Sequence, residues 1–200
     1  MLYFDALMNN GNLTWSLTGP AGAVVTARSF TASDSFGSSS NNPVLNLPAG
    51  AYAVTITTSL ATAQSYSFRL LDLAAGSPAI QPVTPGTAVS GELTVPNETD
   101  LYRFPATAGD QLFFDVVTVS DSGNSYLRLI DPVGGQVFSR GGLGDQDVLS
   151  LPFTGTYTLL VEGWIANSGT DTYALNVQPL TVDVAPVTLN STTDFSSFSR

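Results

Sequence analysis

Three residue types are missing from this 200-residue chain: it contains no cysteine, no histidine and no lysine. Without cysteine there are no disulfides, which fits an extracellular protein that avoids free thiols. Without histidine the chain has no Ser-His-Asp or Cys-His catalytic arrangement and no imidazole metal site. Without lysine it has no Lys–Asn isopeptide cross-link. Stability must therefore come from packing or from bound ions.

Positive charge is scarce as well. Six basic residues face sixteen acidic ones, which gives a net charge of −10. Nucleic acids and anionic lipid surfaces bind to basic surfaces, so neither is expected as a partner. No apolar run approaches the roughly 20 residues of a membrane helix, so no membrane insertion is expected. The N-terminus lacks the features of a signal peptide, and a secretion signal is expected to lie outside this chain.

What the chain does contain is a strand pattern. Apolar and polar residues alternate in short runs, and clusters of Gly, Pro, Asn and Asp separate these runs. Period two indicates strands with one buried face, and the clusters indicate turns. Strands recurring about every 8–12 residues are typical of a sandwich. The sequence predicts an all-β fold.

Several phrases occur twice in the same order. The pairs are "LYFDA" (2–6) with "LFFDV" (112–116), "WSLTGPAGAVV" (15–25) with "LRLIDPVGGQV" (127–137), "GAYAVTI" (50–56) with "GTYTLLV" (155–161), and "SYSFRLLDL" (65–73) with "TYALNVQPL" (172–180). We predict two tandem antiparallel β-sandwich modules of jelly-roll or Ig-like type, residues 1–78 and 79–180, joined by the short Pro/Gly-containing linker "GSPAIQPVTPG".

The first copy lacks the opening strands of the second. The tail "VTLNSTTDFSSFSR" (187–200) aligns with "LTVPNETDLYRFPA" (93–106), so that Phe198 falls on Phe104 and Asp194 on Asp100. Residues 181–200 are therefore either the opening strand of a third repeat or a strand exchanged between molecules. Under the second interpretation Leu189, Phe195 and Phe198 contact the partner.

The second copy resembles a bacterial pre-peptidase C-terminal domain. The matching phrases are "GELTVPNETDLYRF", "ATAGD", "YLRLIDPVGG", "GTYTLLVEG" and "GTDTYALNV". The resemblance implies a β-sandwich that serves as a non-catalytic binding or spacer module, beside secreted peptidases or in long surface proteins. It also implies a bacterial extracellular or cell-surface location, and some relatives bind calcium.

Acidic turns of the second copy are candidate calcium ligands, because calcium binds oxygens that converge from loops. Asp145 and Asp147 in "GGLGDQD" lead, since an Asp-x-Asp beside flexible glycines can point two carboxylates at one ion. Asp121 with Asn124 in "SDSGNS" is a second pair. The alternative for all four is a solvated or capping role in turns.

Two aromatic features have contrasting interpretations. Trp164 follows "VEG" in a turn and is a candidate ligand contact. The tyrosines of the Gly-x-Tyr phrases, Tyr52 and Tyr157, are expected to cover the sandwich end, with each hydroxyl bonded to a loop carbonyl.

The functional hypothesis is a non-catalytic, secreted structural or adhesive repeat module: a stalk, a surface protein or a fibre subunit that assembles head-to-tail by strand addition. Its partners are then neighbouring copies of itself or adjacent repeats. The alternative is a binding module that anchors a secreted hydrolase to a polymer, either polysaccharide or protein. The single "DSG" at 121–123 does not supply the two carboxylates of an aspartic protease, so no enzyme is predicted.

Overall fold

The computed structural model describes residues 1–33, 42–73, 80–95, 97–120 and 125–180. This part of the chain is nearly all strand, and the predicted all-β fold is confirmed. The strands are β1 (Leu2–Ala6), β2 (Leu13–Gly19), β3 (Gly22–Ser29), β4 (Ala53–Thr58), β5 (Phe68–Asp72), β6 (Gln81–Pro82), β7 (Val89–Leu93), β8 (Thr99–Ala106), β9 (Gln111–Val119), β10 (Ser125–Ile130), β11 (Gln136–Gly141), β12 (Gln146–Ser150), β13 (Gly155–Gly163) and β14 (Asp171–Pro179). One 3-10 turn, Phe30–Ala32, follows β3. No helix in these ranges is long and apolar enough to cross a membrane.

The second half of the chain, residues 80–180, forms a sandwich of two sheets. Their strand orders are β11-β10-β13-β8-β6 and β12-β9-β14-β7. Alternate residues of these strands point inward and are buried together, as period two requires. Members of this core include Leu93, Tyr102, Phe104, Phe114, Leu127, Leu129, Tyr157, Leu159, Val161, Tyr173, Leu175 and Val177.

The first half, residues 1–73, repeats part of this arrangement. Its sheets have the orders β3-β2-β4 and β1-β5, the same orders as β11-β10-β13 and β9-β14. The registers also agree with the alignment of the repeated phrases. Equivalent cross-strand pairs are Trp15 with Ile56 and Leu127 with Val161, and Phe4 with Leu70 and Phe114 with Val177. The core of this half centres on Phe4, Leu13, Trp15, Leu17 and Phe30.

The Gly-x-Tyr phrases adopt the same contacts in both halves. The Tyr52 hydroxyl donates to the carbonyl of Pro48 at 2.7 Å, and the Tyr157 hydroxyl donates to that of Phe153 at 2.8 Å. The expected bond between each hydroxyl and a loop carbonyl is thus confirmed.

Each phrase also begins with a glycine that packs on a proline. A Cβ on Gly50 would lie 2.3 Å from Cγ of Pro20, and one on Gly155 would lie 2.7 Å from Cβ of Pro132. Any larger residue would push the turn and the strand apart at either position.

The two halves contact each other through a third apolar cluster. Tyr3 of β1 and Leu71 of β5 point away from the core of the first half and pack against Leu101, Ile130 and Leu160 on the outer face of β8, β10 and β13. The outer face of the two-stranded sheet β1-β5 is therefore covered by the second half. The division into modules at 78/79 and 180/181 stays a prediction, because residues 74–79 and 181–200 lie outside the described ranges.

Candidate strand-docking site

Two strands of the first half are paired along one edge only. Within the described residues β4 pairs with β2 and β5 pairs with β1. Their counterparts in the second half are paired on both edges: β13 lies between β10 and β8, and β14 lies between β9 and β7. No described strand of the first half fills the positions that β7 and β8 take in the second.

Two large side chains at and just before β5 are exposed, although the residues aligned with them are buried. Tyr66 is 55% exposed and Leu70 is 45% exposed, whereas the aligned Tyr173 and Val177 are 3% and 2% exposed. Leu70 lies opposite the core residue Phe4 in the strand pair, which places it on the inner face. Free backbone edges next to uncovered apolar side chains are a template for added strands.

The second half illustrates how β7 and β8 cover such a surface. Leu93 and Phe104 are fully buried in its core. The Tyr173 hydroxyl donates to Oδ2 of Asp100 at 2.6 Å and lies 2.8 Å from the Tyr102 hydroxyl. Burial and the neighbouring Asp100 raise the pKa of Tyr173, so the phenol remains a hydrogen-bond donor.

The predicted exchange residues Leu189, Phe195 and Phe198 lie outside the described residues, and their contacts stay a prediction. Their alignment with 93–106 gives them specific counterparts. Phe198 corresponds to the fully buried Phe104.

The leading calcium candidates precede or begin β12. Oδ1 of Asp145 accepts from the Val116 backbone N–H at 2.9 Å, and Oδ1 of Asp147 accepts from the Val148 N–H at 2.8 Å. Each carboxylate thus accepts one backbone N–H, and among the described residues no hydrogen bond to its second oxygen is found. Among the described residues no three acidic side chains are grouped as a metal site would require.

The other calcium candidates, Asp121 and Asn124, lie outside the described residues. Calcium binding at either pair stays a prediction.

Trp164 lies in the turn after β13 and is 38% exposed. The next residue, Ile165, is 6% exposed and packs into the core of the first half, with Trp15 and Phe30. This turn of the second half therefore contributes Ile165 to the hydrophobic core of the first half. The repeat pattern did not predict this contact. Its sequence signal is an apolar pair, Trp164 and Ile165, inside an otherwise polar turn. Ligand contact by Trp164 stays a prediction.

Buried charges join the two halves beside their apolar contact. Asp5 is fully buried and accepts from Nε of Arg69 at 2.7 Å and from the Thr99 hydroxyl at 3.1 Å. The same guanidinium donates to the Thr99 carbonyl at 2.8 Å. Burial raises the pKa of Asp5 to about 6, although Arg69 acts in the opposite direction.

A second buried pair lies next to the first. Arg128 and Glu162 form an ion pair at 3.1 Å with almost no exposure. The Tyr3 hydroxyl of the first half donates to Oε1 of this Glu162 at 2.6 Å. Removing one partner of such a group leaves a buried charge without compensation. These polar contacts fix the position of one half relative to the other.

No protein-family model matches the chain, and no curated protein matches it. Several solved structures are similar to half of it. They include PliG of Aeromonas hydrophila, a periplasmic inhibitor of g-type lysozyme, with 21% identity over 50% of this chain and 96% of that one, at a TM-score of 0.36. PliG of Salmonella Typhimurium has 19% identity over 50% and 98%, at 0.37. The pre-peptidase C-terminal domain of collagenase from Bacillus anthracis has 19% over 50% and 94%, at 0.40. At these TM-scores the likeness carries no conclusion about function.

Proposed function

We propose that this chain is a non-catalytic structural repeat module of a bacterial extracellular or cell-surface protein, and that its first half accepts strands from a neighbouring copy. The observation that carries the proposal is the exposure of Tyr66 and Leu70 beside the free edges of β4 and β5, where the equivalent residues of the second half are covered.

The docked element is the tail, residues 181–200 of the next copy. Its residues 187–200 align with 93–106, which contain the last residue of β7 and all of β8, and residues 181–186 precede them as the rest of β7 precedes Leu93, so the tail is long enough to offer one strand to each free edge. Backbone hydrogen bonds to the edges supply affinity, and alternate side chains supply specificity. In this arrangement Phe198 occupies the position in the first half that corresponds to Phe104 in the second.

The donor and acceptor surfaces are different parts of the chain, so each copy offers one of each. A contact of this heterologous kind repeats head-to-tail and generates a filament unless the rotation closes a ring. The alternative is that the tail of the same chain occupies these two edges, and the mass measurement below tests both arrangements.

The test is the solution mass by light scattering over a concentration series. The full chain is expected to grow in mass with concentration, while Leu70→Asp and a chain ending at residue 180 stay monomeric. Val117→Asp is the matched control, because Val117 is a 53% exposed apolar residue on β9 of the second half. A full chain that is monomeric throughout, or a shortened chain that still grows, contradicts strand addition between copies.

A second candidate function rests on the exposure of Trp164, and it is a module that anchors a secreted hydrolase to a polysaccharide or protein polymer. Its test is co-sedimentation with insoluble glycans and with collagen. Retention that is lost in Trp164→Ala supports this function, and equal retention of the variant contradicts it.

A further inference from the structure

A cleft of about 210 Å³ lies where the two halves meet, at the end of their apolar contact. The cleft is lined by both apolar and polar residues. The apolar residues are Met1, Leu73, Ile80 and Pro132, and the polar ones are Arg103, Thr156 and Thr158. The volume is below the roughly 300–1,000 Å³ of sites for drug-sized ligands, so any ligand is small.

The strand register brings the polar residues together. Arg103 on β8 lies directly opposite Thr158 on β13, and Thr156 lies two residues before Thr158 on the same face. Directly opposed residues have Cβ atoms about 5 Å apart. This is the outer face of the sheet, whose neighbouring residues Leu101 and Leu160 are covered by the first half.

Hydrogen-bond donors in the cleft have no partner among the described residues. Within the described ranges, the Arg103 guanidinium makes no ion pair or hydrogen bond, and neither do the hydroxyls of Thr156 and Thr158. Thr158 is nevertheless only 3% exposed. By contrast, Arg69 and Arg128 each bind a carboxylate. The Thr158 hydroxyl is not among the fully buried atoms that lack a partner, so it opens toward the cleft, where it and the Arg103 guanidinium can both donate to a bound ligand.

We propose that this cleft binds a small monocarboxylate with a short apolar tail. The guanidinium of Arg103 donates to one or both carboxylate oxygens in its forked geometry, and the threonine hydroxyls donate to the remaining lone pairs. The apolar walls contact the alkyl chain. The net charge of −10 and the single arginine favour a monoanion over phosphate or a dicarboxylate.

The probe is sodium hexanoate, titrated into the full chain at constant ionic strength and followed by the NMR signals of the Arg103 side chain and of the Thr156 and Thr158 amides. Saturable shifts are expected, with 1-hexanol and hexylammonium chloride giving none. Arg103→Met keeps an apolar side chain of similar length and is expected to weaken binding at least tenfold. Arg140→Met, which removes a surface arginine outside the cleft, is expected to bind like the natural chain.

Thr158→Val removes a hydroxyl at nearly constant shape and is expected to weaken binding as well, so the proposal does not depend on the arginine variant alone. Shifts that do not saturate, or affinities that are the same in the natural chain, Arg103→Met and Thr158→Val, would overturn the carboxylate site. All titrations use the Leu70→Asp background, which is expected to stay monomeric, so the readout does not depend on assembly and either result leaves the strand-addition proposal to its own test.

Discussion

Tyr66 and Tyr173 occupy equivalent positions in the two halves, yet 55% of Tyr66 is exposed and only 3% of Tyr173. Tyr173 lies within β14, whereas Tyr66 lies two residues before β5 and outside the strands. β7 and β8 cover Tyr173 and have no counterpart over Tyr66 among the described residues. In the described part of the chain, the first half thus leaves Tyr66 and Leu70 exposed at positions that two further strands cover in the second half.

The Tyr173–Asp100 bond predicts an equivalent bond in the assembled form. Asp194 of the tail aligns with Asp100, so its carboxylate is expected to accept from Tyr66 of the next copy. Tyr66→Phe and Asp194→Ala each remove this bond, and each is expected to weaken assembly about tenfold or more, since bonds to charged groups contribute about 1.5–3 kcal/mol. Sedimentation equilibrium measures the association constant. The double variant should be no weaker than either single one; additive losses would contradict a direct bond.

Tyr157→Phe is expected to lower the free energy of unfolding by about 0.5–1.5 kcal/mol, because it removes the part-buried hydrogen bond from the Tyr157 hydroxyl to the Phe153 carbonyl. Tyr52→Phe removes the equivalent bond at a more exposed site and should cost less. Urea denaturation followed by fluorescence measures both. Tyr126→Phe is the control and should unfold like the natural chain, since no hydrogen bond of the Tyr126 hydroxyl is found among the described residues. Equal losses in all three variants would contradict this account.

Gly91→Ala tests the contact between β7 and the tyrosine pair. An added Cβ would lie 2.2 Å from the Tyr173 hydroxyl oxygen and 2.6 Å from that of Tyr102. Overpacking of this kind destabilises by about 1–3 kcal/mol. Gly11→Ala is the matched control, because nothing lies within 4 Å of its added Cβ. If the two variants have the same thermal midpoint, the packing described around Tyr173 is wrong.

Asp5 predicts a pH dependence of stability. Its pKa is about 6 in the folded chain and 3.8 as a free side chain, so the folded state holds its proton more tightly. The contribution to stability is fully present below pH 3.8 and is lost as the pH rises through 6. Asp100, whose pKa burial also raises, acts in the same direction.

The measurement for this pH effect is the thermal midpoint between pH 4 and pH 7. The midpoint of the natural chain is expected to fall over this interval, and Asp5→Asn should show a smaller fall because only Asp100 then contributes. A midpoint that rises with pH in the natural chain, or an unchanged slope in Asp5→Asn, would show that Asp5 is not held as described.

Much of the fold could be predicted from the repeated phrases. Alternation identifies the inner face of each strand, and aligning Trp15 with Leu127 and Phe4 with Phe114 gives the correct cross-strand pairs in both halves. Local pattern is sufficient here because one buried face fixes the register.

The contact between the halves was not predicted, although the sequence contains a signal for it. Leu159, Leu160 and Val161 are consecutive and all fully buried, which requires a strand covered on both faces. A run of three apolar residues is too short to identify the partner. The buried charges are harder still, because Arg69 and Asp5 meet only through the pairing of distant strands.

The most direct test of strand addition is to mix two copies that are each defective in one role. Leu70→Asp cannot accept a tail but can donate one, and Phe198→Asp cannot donate but can accept. Each variant alone is expected to remain at the mass of one 20.9 kDa chain. The equimolar mixture is expected to reach twice that mass and stop, because only one donor–acceptor contact can form. A mixture that stays monomeric, or a single variant that assembles alone, would contradict the head-to-tail contact.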